Sequence, residues 1–353
     1  MTKNKKVLLI GLSVLVLLFS AAWQVSASQT LNIVDSSGRE VTLDIPVERV
    51  VALTSESFDV IRSLGALDTV VGANKYVVED ELLYPGCSGY TNLGSSFSVD
   101  YEALIETAPQ VVFTYTSSPT DILEKLDGTG IEVVRFNFNK MSSYGDEVAK
   151  TGQILGREEE AQQLIDFYEG YTGTIEETVA TLEQKPKVYL EADFGGGKNY
   201  VTCGEGHGHH ELLAAAGGDN IFIEVNGSKE IDPEAVIALD PEIIVKYRYP
   251  APAGLGMAID DIGGLEAIRQ EILDRPELQN VTAVKNEQVY VLTWDSTRGA
   301  ARYFLALGYM AKWFHPELFG NLDPRATYQD YLNRYQGVDI DLDEQGVFVY
   351  PEP

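Results

Sequence analysis

Two stretches far apart in this chain are versions of one another. Residues 98–115 read SVDYEALIETAPQVVFTY and residues 230–247 read EIDPEAVIALDPEIIVKY. Aligned without a gap, Asp100 falls on Asp232, Glu102 on Glu234, Ala103 on Ala235, Ile105 on Ile237, Pro109 on Pro241 and Tyr115 on Tyr247. Five of the remaining pairs, three of them in the strand, exchange one aliphatic or aromatic residue for another: 99/231, 104/236, 111/243, 112/244 and 113/245. Each copy spells a short helix capped by an Asp, a break at Pro, and a buried strand ending in Tyr. A chain that carries this unit twice is constrained to two similar lobes.

Between the copies lies the segment that joins them. Residues 157–184 read REEEAQQLIDFYEGYTGTIEETVATLEQ, with Ala161, Leu164, Ile165, Tyr168, Tyr171, Ile175, Val179 and Leu182 recurring at steps of three and four. That spacing makes one buried stripe on a helix. At 1.5 Å per residue the helix would span roughly 40 Å, enough to tie two lobes together. Gly156 precedes it and Pro186 follows it, giving both ends a reason to stop. Gly170 and Gly173 inside it each cost about 1 kcal/mol relative to Ala. An ordinary amphipathic helix within one domain has the same periodicity; the flanking repeat favours a spine.

The chain opens with Lys3, Lys5 and Lys6, an apolar run over residues 7–22, and the small-residue sequence Val25-Ser26-Ala27 before Ser28. This is the pattern of an export signal over residues 1–27. Left uncleaved, the same run would anchor the chain, being slightly short of a full span. Cleavage would remove three lysines and no acids, taking the formal charge from −28 to −31. So acidic a surface excludes nucleic acid as partner and suits a heavily hydrated exterior in an ion-rich setting. Cys87 and Cys203, one in each half, exclude a disulfide framework, and leave open a single bridge or two thiols.

In chain order, residues 31–44 alternate as a hairpin. Residues 49–53 form an apolar strand, 54–56 a polar turn, 58–64 a helix, and 69–72 another strand. This rhythm is that of a parallel sheet with covering helices. Ligands of such sheets collect at the carboxyl ends of strands, which makes Thr54 and Ser55 candidate cleft residues. The strand over residues 131–136 closes the first lobe. Strands over 187–191 and 199–202 open the second, followed by a glycine- and histidine-rich turn, a helix over 211–216, the second repeat copy, a strand over 289–292, and an apolar helix over 304–314. Residues 337–353 read as an acidic tail without clear periodicity. The resulting division is residues 28–147 for the first α/β lobe, 148–184 for the spine, 185–336 for the second lobe and 337–353 for the tail.

These pieces together resemble a known family. RVVALTSESFDVIRSLGALDTVVGA, the paired EALIETAPQVVF and EAVIALDPEIIV, ELLAAAGGDNIF and LGYMAKWFHPELFG are similar, in order and spacing, to the helical-backbone class of ABC-transporter substrate-binding proteins for iron siderophores, haem and cobalamin. The likeness runs over about residues 31–336. It implies an α/β fold of two Rossmann-like lobes joined by a single long helix, with a shallow ligand cleft between them and little hinge motion. It also implies a monomer outside the cytoplasm that has no cofactor, carries a metal chelate, and delivers it to a membrane permease dimer with its cytoplasmic ATPase. In the family one Glu per lobe docks on permease arginines; Glu102 and Glu234 match those positions. Each also follows an Asp cap, where a carboxylate gains about 0.3 to 1 kcal/mol from the helix dipole.

Candidate ligand contacts follow from residue chemistry. His207, His209 and His210, with Cys203 and Glu205 nearby, could touch a bound chelate, ligate a transition metal directly, or line a solvated turn. The run misses the H-E-x-x-H zinc pattern because Ala214 stands where the second His belongs. Tyr247, Arg248 and Tyr249 follow one repeat strand and Tyr115 the other. Trp294 and Arg298 sit at a further strand end. Aromatics stack on flat ligands and guanidinium grips carboxylates, though lobe packing would use the same residues. Arg248 and Arg302 stand out because basic residues are scarce. No G-x-S-x-G elbow or phosphate loop is present, and nothing assembles a nucleophile with a base, so an enzyme is disfavoured. The expected function is an ABC-importer binding protein for an iron chelate, haem or a corrinoid. The alternative is a surface protein holding a bare transition metal on the histidine turn.

Overall fold

The computed structural model describes residues 29–119, 121–194, 199–249, 257, 260–297 and 302–353. Its first lobe begins with an antiparallel hairpin of β1 (Gln29–Val34) and β2 (Glu40–Ile45). A five-stranded parallel sheet follows, built from β3 (Val50–Ala52), β4 (Val70–Ala73), β5 (Thr91–Asn92), β8 (Val111–Thr114) and β9 (Glu132–Arg135), in the order β5-β4-β3-β8-β9. A small ribbon of β6 (Gly94–Ser95) and β7 (Ser98–Val99) stands apart. β3 and β8 are buried at every position, as strands covered on both faces require. The helices are α1 (Ser55–Ser63), α2 (Lys75–Glu79), α3 (Tyr101–Glu106), α4 (Asp121–Leu126) and α5 (Met141–Leu155). Thr54, Asn74 and Asp100 cap α1, α2 and α3 by accepting backbone N–H groups.

Gly156, at φ +62°, ends α5, and the spine α6 (Glu158–Ala180) begins two residues later. It is one unbroken helix with Ala161, Leu164, Ile165, Tyr168, Thr172, Ile175 and Val179 buried. It stops a few residues short of the expected end, so Leu182 lies beyond it. α6 lies against α1 and α5 on one side and against α7 (Gly208–Ala215) and α11 (Tyr303–Phe314) on the other. One hydrophobic core runs continuously from Val50 through Leu164 and Ile175 to Phe304 and Phe348. The lobes are therefore joined by shared burial as well as by the chain.

The second lobe repeats the plan. β10 (Lys187–Phe194), β12 (Asp219–Asn220), β14 (Ile243–Tyr249) and β15 (Val289–Thr293) run parallel in the order β12-β10-β14-β15. It also carries α8 (Pro233–Leu239), capped by Asp232, α9 (Gly263–Leu273), α10 (Thr282–Lys285), α12 (Pro316–Phe319) and α13 (Pro324–Tyr331). The two repeat copies become α3 with β8 and α8 with β14. Each strand is interior to its own sheet.

Three expectations are corrected. The strand expected over 199–202, β11 (Val201–Cys203), leaves the main sheet and pairs antiparallel with β13 (Ser228–Glu230). The glycine- and histidine-rich run is not a flexible turn. A Cβ on Gly204 would meet the Val225 carbonyl oxygen at 2.1 Å and one on Gly208 the Asn139 oxygen at 2.3 Å, so these glycines mark close backbone approach. The acidic tail is part of the fold. Val338, Ile340 and Leu342 are buried while the aspartates between them are exposed, a period of two, and β16 (Val349–Tyr350) pairs antiparallel with β15.

Candidate ligand-binding cleft

The carboxyl ends of both sheets open onto a cavity of about 330 Å³ between the lobes. Thr54, Ser55 and Glu56 follow β3, Asn74 follows β4, and Tyr115 follows β8. From the other lobe come Phe194 at the end of β10, Tyr247 and Tyr249 at the end of β14, and Trp294 directly after β15. Strand ends converge here because parallel strands put all their loops on one edge.

The two walls differ in chemistry. The first is largely polar. The Thr54 hydroxyl accepts from the Ser57 amide at 3.0 Å, and the Tyr115 hydroxyl donates to the Glu56 carboxylate. Asn74 Oδ1 accepts from the amides of Tyr76 and Val77 at 2.9 and 3.2 Å, while its Nδ2, buried, meets no acceptor among the described residues. Phe97, 62% exposed, stacks on Tyr115 with 6.4 Å between ring centroids. The second wall is aromatic. Tyr249 meets Trp294 edge-on at 5.0 Å, and Phe194 leans on Tyr247 at 5.7 Å.

The histidines lie behind and beside that aromatic wall. His209, buried, packs edge-on to Tyr247 at 4.3 Å, and among the described residues neither of its ring nitrogens has a hydrogen-bond partner. Burial holds its pKa well below the usual range, helped by neighbouring His207. His207 caps α7, its Nδ1 accepting from the His209 amide at 3.2 Å. Burial, then the cation of Lys140, brings its pKa down to about 4. His210 turns the other way, 3.0 Å from Asn220 Nδ2, and lines a separate groove along α6. Cys203 is wholly buried, which pushes its thiol up to about 12; Cys87 is also free, so no bridge joins the halves.

The expected metal set of His207, His209, His210 and Cys203 is thereby corrected. Among the described residues no three His, Cys, Asp or Glu side chains form a group able to hold a metal ion. The reason is geometric: His207 and His209 face each other with 5.0 Å between ring centroids, but His210 turns away to Asn220 and Cys203 lies in β11, outside the helix. Arg248 pairs with Asp193, its neighbour in the parallel register of β10 and β14, and does not line the cavity. Arg298 lies outside the described residues. Of the expected ligand contacts, Thr54, Ser55, Tyr115, Tyr247 and Trp294 share the cavity; His207 and His209 stand behind Phe194 and Tyr247. Sequence reasoning missed Glu56, Asn74, Phe97 and Phe194, although the first two obey the same strand-end rule as Thr54. Glu102 and Glu234 are exposed in the first turns of α3 and α8.

The model of the family described as periplasmic binding protein matches residues 50–295. The chain belongs to the periplasmic binding protein family. Its relatives are solute-binding components of ABC transporters, which bind without transforming and act outside the cytoplasm with a permease and an ATPase. Among the described residues no helix is long and apolar enough to cross a membrane. A cobalamin-binding protein of Halobacterium salinarum is 26% identical over 60% of this chain and 57% of its own length. The chain thus spans little more than half of that relative. The molybdate-binding protein MolA of Haemophilus influenzae is 22% identical over 92% of this chain and 95% of its own. Among solved structures, the TroA-like periplasmic binding protein FepB of Veillonella parvula superposes with a TM-score of 0.74 at 24% identity, covering 92% of this chain and all of that one. CeuE of Helicobacter pylori with Ni(II) bound gives 0.68 at 19% identity, covering 89% and 98%. At these identities the structural likeness speaks to the fold alone.

Proposed function

We propose that this periplasmic binding protein carries a corrinoid of the cobalamin type to a dimeric permease driven by a cytoplasmic ATPase. The observation that carries this reading is the two-faced cleft. One wall offers hydroxyl, amide and carboxylate groups; the other offers Phe194, Tyr247, Tyr249 and Trp294. A large flat chelate with polar side groups complements both walls. An oxyanion such as molybdate, or a multiply charged ferric siderophore, wants cations and clustered N–H donors, and no Lys or Arg is among the described residues that line the cavity. The resemblance to a cobalamin-binding relative points the same way.

In this reading residues 1–27 direct export, and Glu102 and Glu234, matched by the internal repeat, dock the two lobes on two equivalent permease subunits. The test is direct. Protein purified from its own host is examined by native mass spectrometry and visible absorbance, and the emptied protein is titrated with cyanocobalamin while tryptophan fluorescence is followed. Retained corrinoid or saturable quenching is expected. Retained haem or ferric chelate, with no response to cyanocobalamin, would overturn the cargo assignment.

A further inference from the structure

Asn74 directly follows β4 and caps α2, and it is 1% exposed. Its amide orientation is fixed by chemistry. Oδ1 accepts from two backbone N–H groups, so a flip would set an NH2 against two donors. Nδ2 is therefore the end left over, and it finds no acceptor among the described residues although the residue lines the cleft. A buried donor without a partner is costly, and few survive in folded proteins unless something outside the chain completes them. On the same wall Glu56 offers the opposite function, a carboxylate held by the Tyr115 hydroxyl with acceptor capacity to spare.

We propose that Asn74 and Glu56 form a carboxamide-reading pair. Asn74 Nδ2 donates to an amide-type carbonyl oxygen of the cargo, and Glu56 accepts from an N–H of the cargo. The class of ligand so selected is a neutral chelate with peripheral amides. A cargo whose rim carries carboxylates is disfavoured, because it would supply no N–H and would meet the charge of Glu56. This rests on reading the cleft as the solute site, and it names a chemical requirement that the aromatic wall alone does not impose.

Asn74→Asp is the informative variant. Asp caps helices as well as Asn, so both backbone bonds to α2 survive while the free donor becomes an acceptor. Wild type, Asn74→Asp and Glu56→Gln are titrated with cyanocobalamin and with a neutral ferric trihydroxamate that carries peptide amides, and thermal midpoints of the empty proteins are recorded. Asn74→Asp should weaken whichever probe the wild type binds by tenfold or more, in protein whose cooperative thermal transition shows that it folds. Glu56→Gln, which caps nothing, should weaken it by about threefold to tenfold. It decides the matter if Asn74→Asp fails to fold. Undiminished binding by Asn74→Asp overturns the pair but leaves the corrinoid reading standing. Binding of the trihydroxamate alone overturns the corrinoid reading but still tests the pair. Binding of neither probe overturns both.

Discussion

Arg302 Nη2 lies 3.0 Å from Asp59 Oδ2, joining the N-cap of α11 in the second lobe to α1 in the first, with side chains only 1% and 3% exposed. Around them Gln336 Nε2 donates to the Asp59 carbonyl at 3.0 Å, and Arg62 Nε donates to Gln336 Oε1 at 2.7 Å. The scarce arginine that stands out in the sequence serves the joint between lobes. Asp59→Ala would strand a buried guanidinium, and equilibrium urea unfolding should show a loss of about 3–5 kcal/mol. Asp59→Leu combined with Arg302→Met should recover most of it. A loss below about 1 kcal/mol for Asp59→Ala would mean the pair does not hold the lobes.

Gly170 sits in the exposed middle of α6, and a Cβ there meets no atom within 4 Å. Gly170→Ala should therefore stabilise the spine by about 0.5–1 kcal/mol. A lower denaturation midpoint in that variant would mean the glycine serves a bend that the straight helix lacks.

His207 and His209 make stability sensitive to acid. Both have folded pKa values depressed below the ordinary value near 6.5 by burial, His207 to about 4. The unfolded chain then binds protons that the folded one refuses. Their contribution is complete above pH 6.5 and declines as pH falls toward 4, by up to about 1.4 kcal/mol per pH unit for each ring. His207→Asn keeps an acceptor for the His209 amide and removes one ring's share, about 2 kcal/mol between pH 7 and pH 5. Identical losses in wild type and variant over that interval would refute the assignment.

Glu102 and Glu234 are exposed, so reversing both to Lys should leave folding and cargo affinity intact. If they dock as proposed, uptake of labelled cyanocobalamin by the host carrying the double variant should fall to background, because two attractive contacts would become repulsive. Weakened cargo binding in the purified variant would instead move these carboxylates into the cleft.

Most of the architecture was legible in the sequence. The repeat announced α3 with β8 and α8 with β14, and a stripe at steps of three and four announced α6. The closing segment was legible too but unread: Val338, Ile340 and Leu342 alternate with aspartates, and the acidity masked the period. The cleft was harder. Thr54 and Asn74 both follow strands, yet nothing local in a sequence says whether a capping side chain keeps a spare donor. Arg248 was expected to grip an anion. The structure turns it to Asp193, a partner set by strand register between residues 55 apart.

Within the polar wall Tyr115 is held by Glu56, and Tyr247 of the aromatic wall is held from behind by His209, on lobes joined through α6. With the cleft as the proposed solute site, cargo meets a mould that has set beforehand. Little free energy goes to shutting a jaw, and tightness is governed by how well an arriving molecule matches the relief it finds.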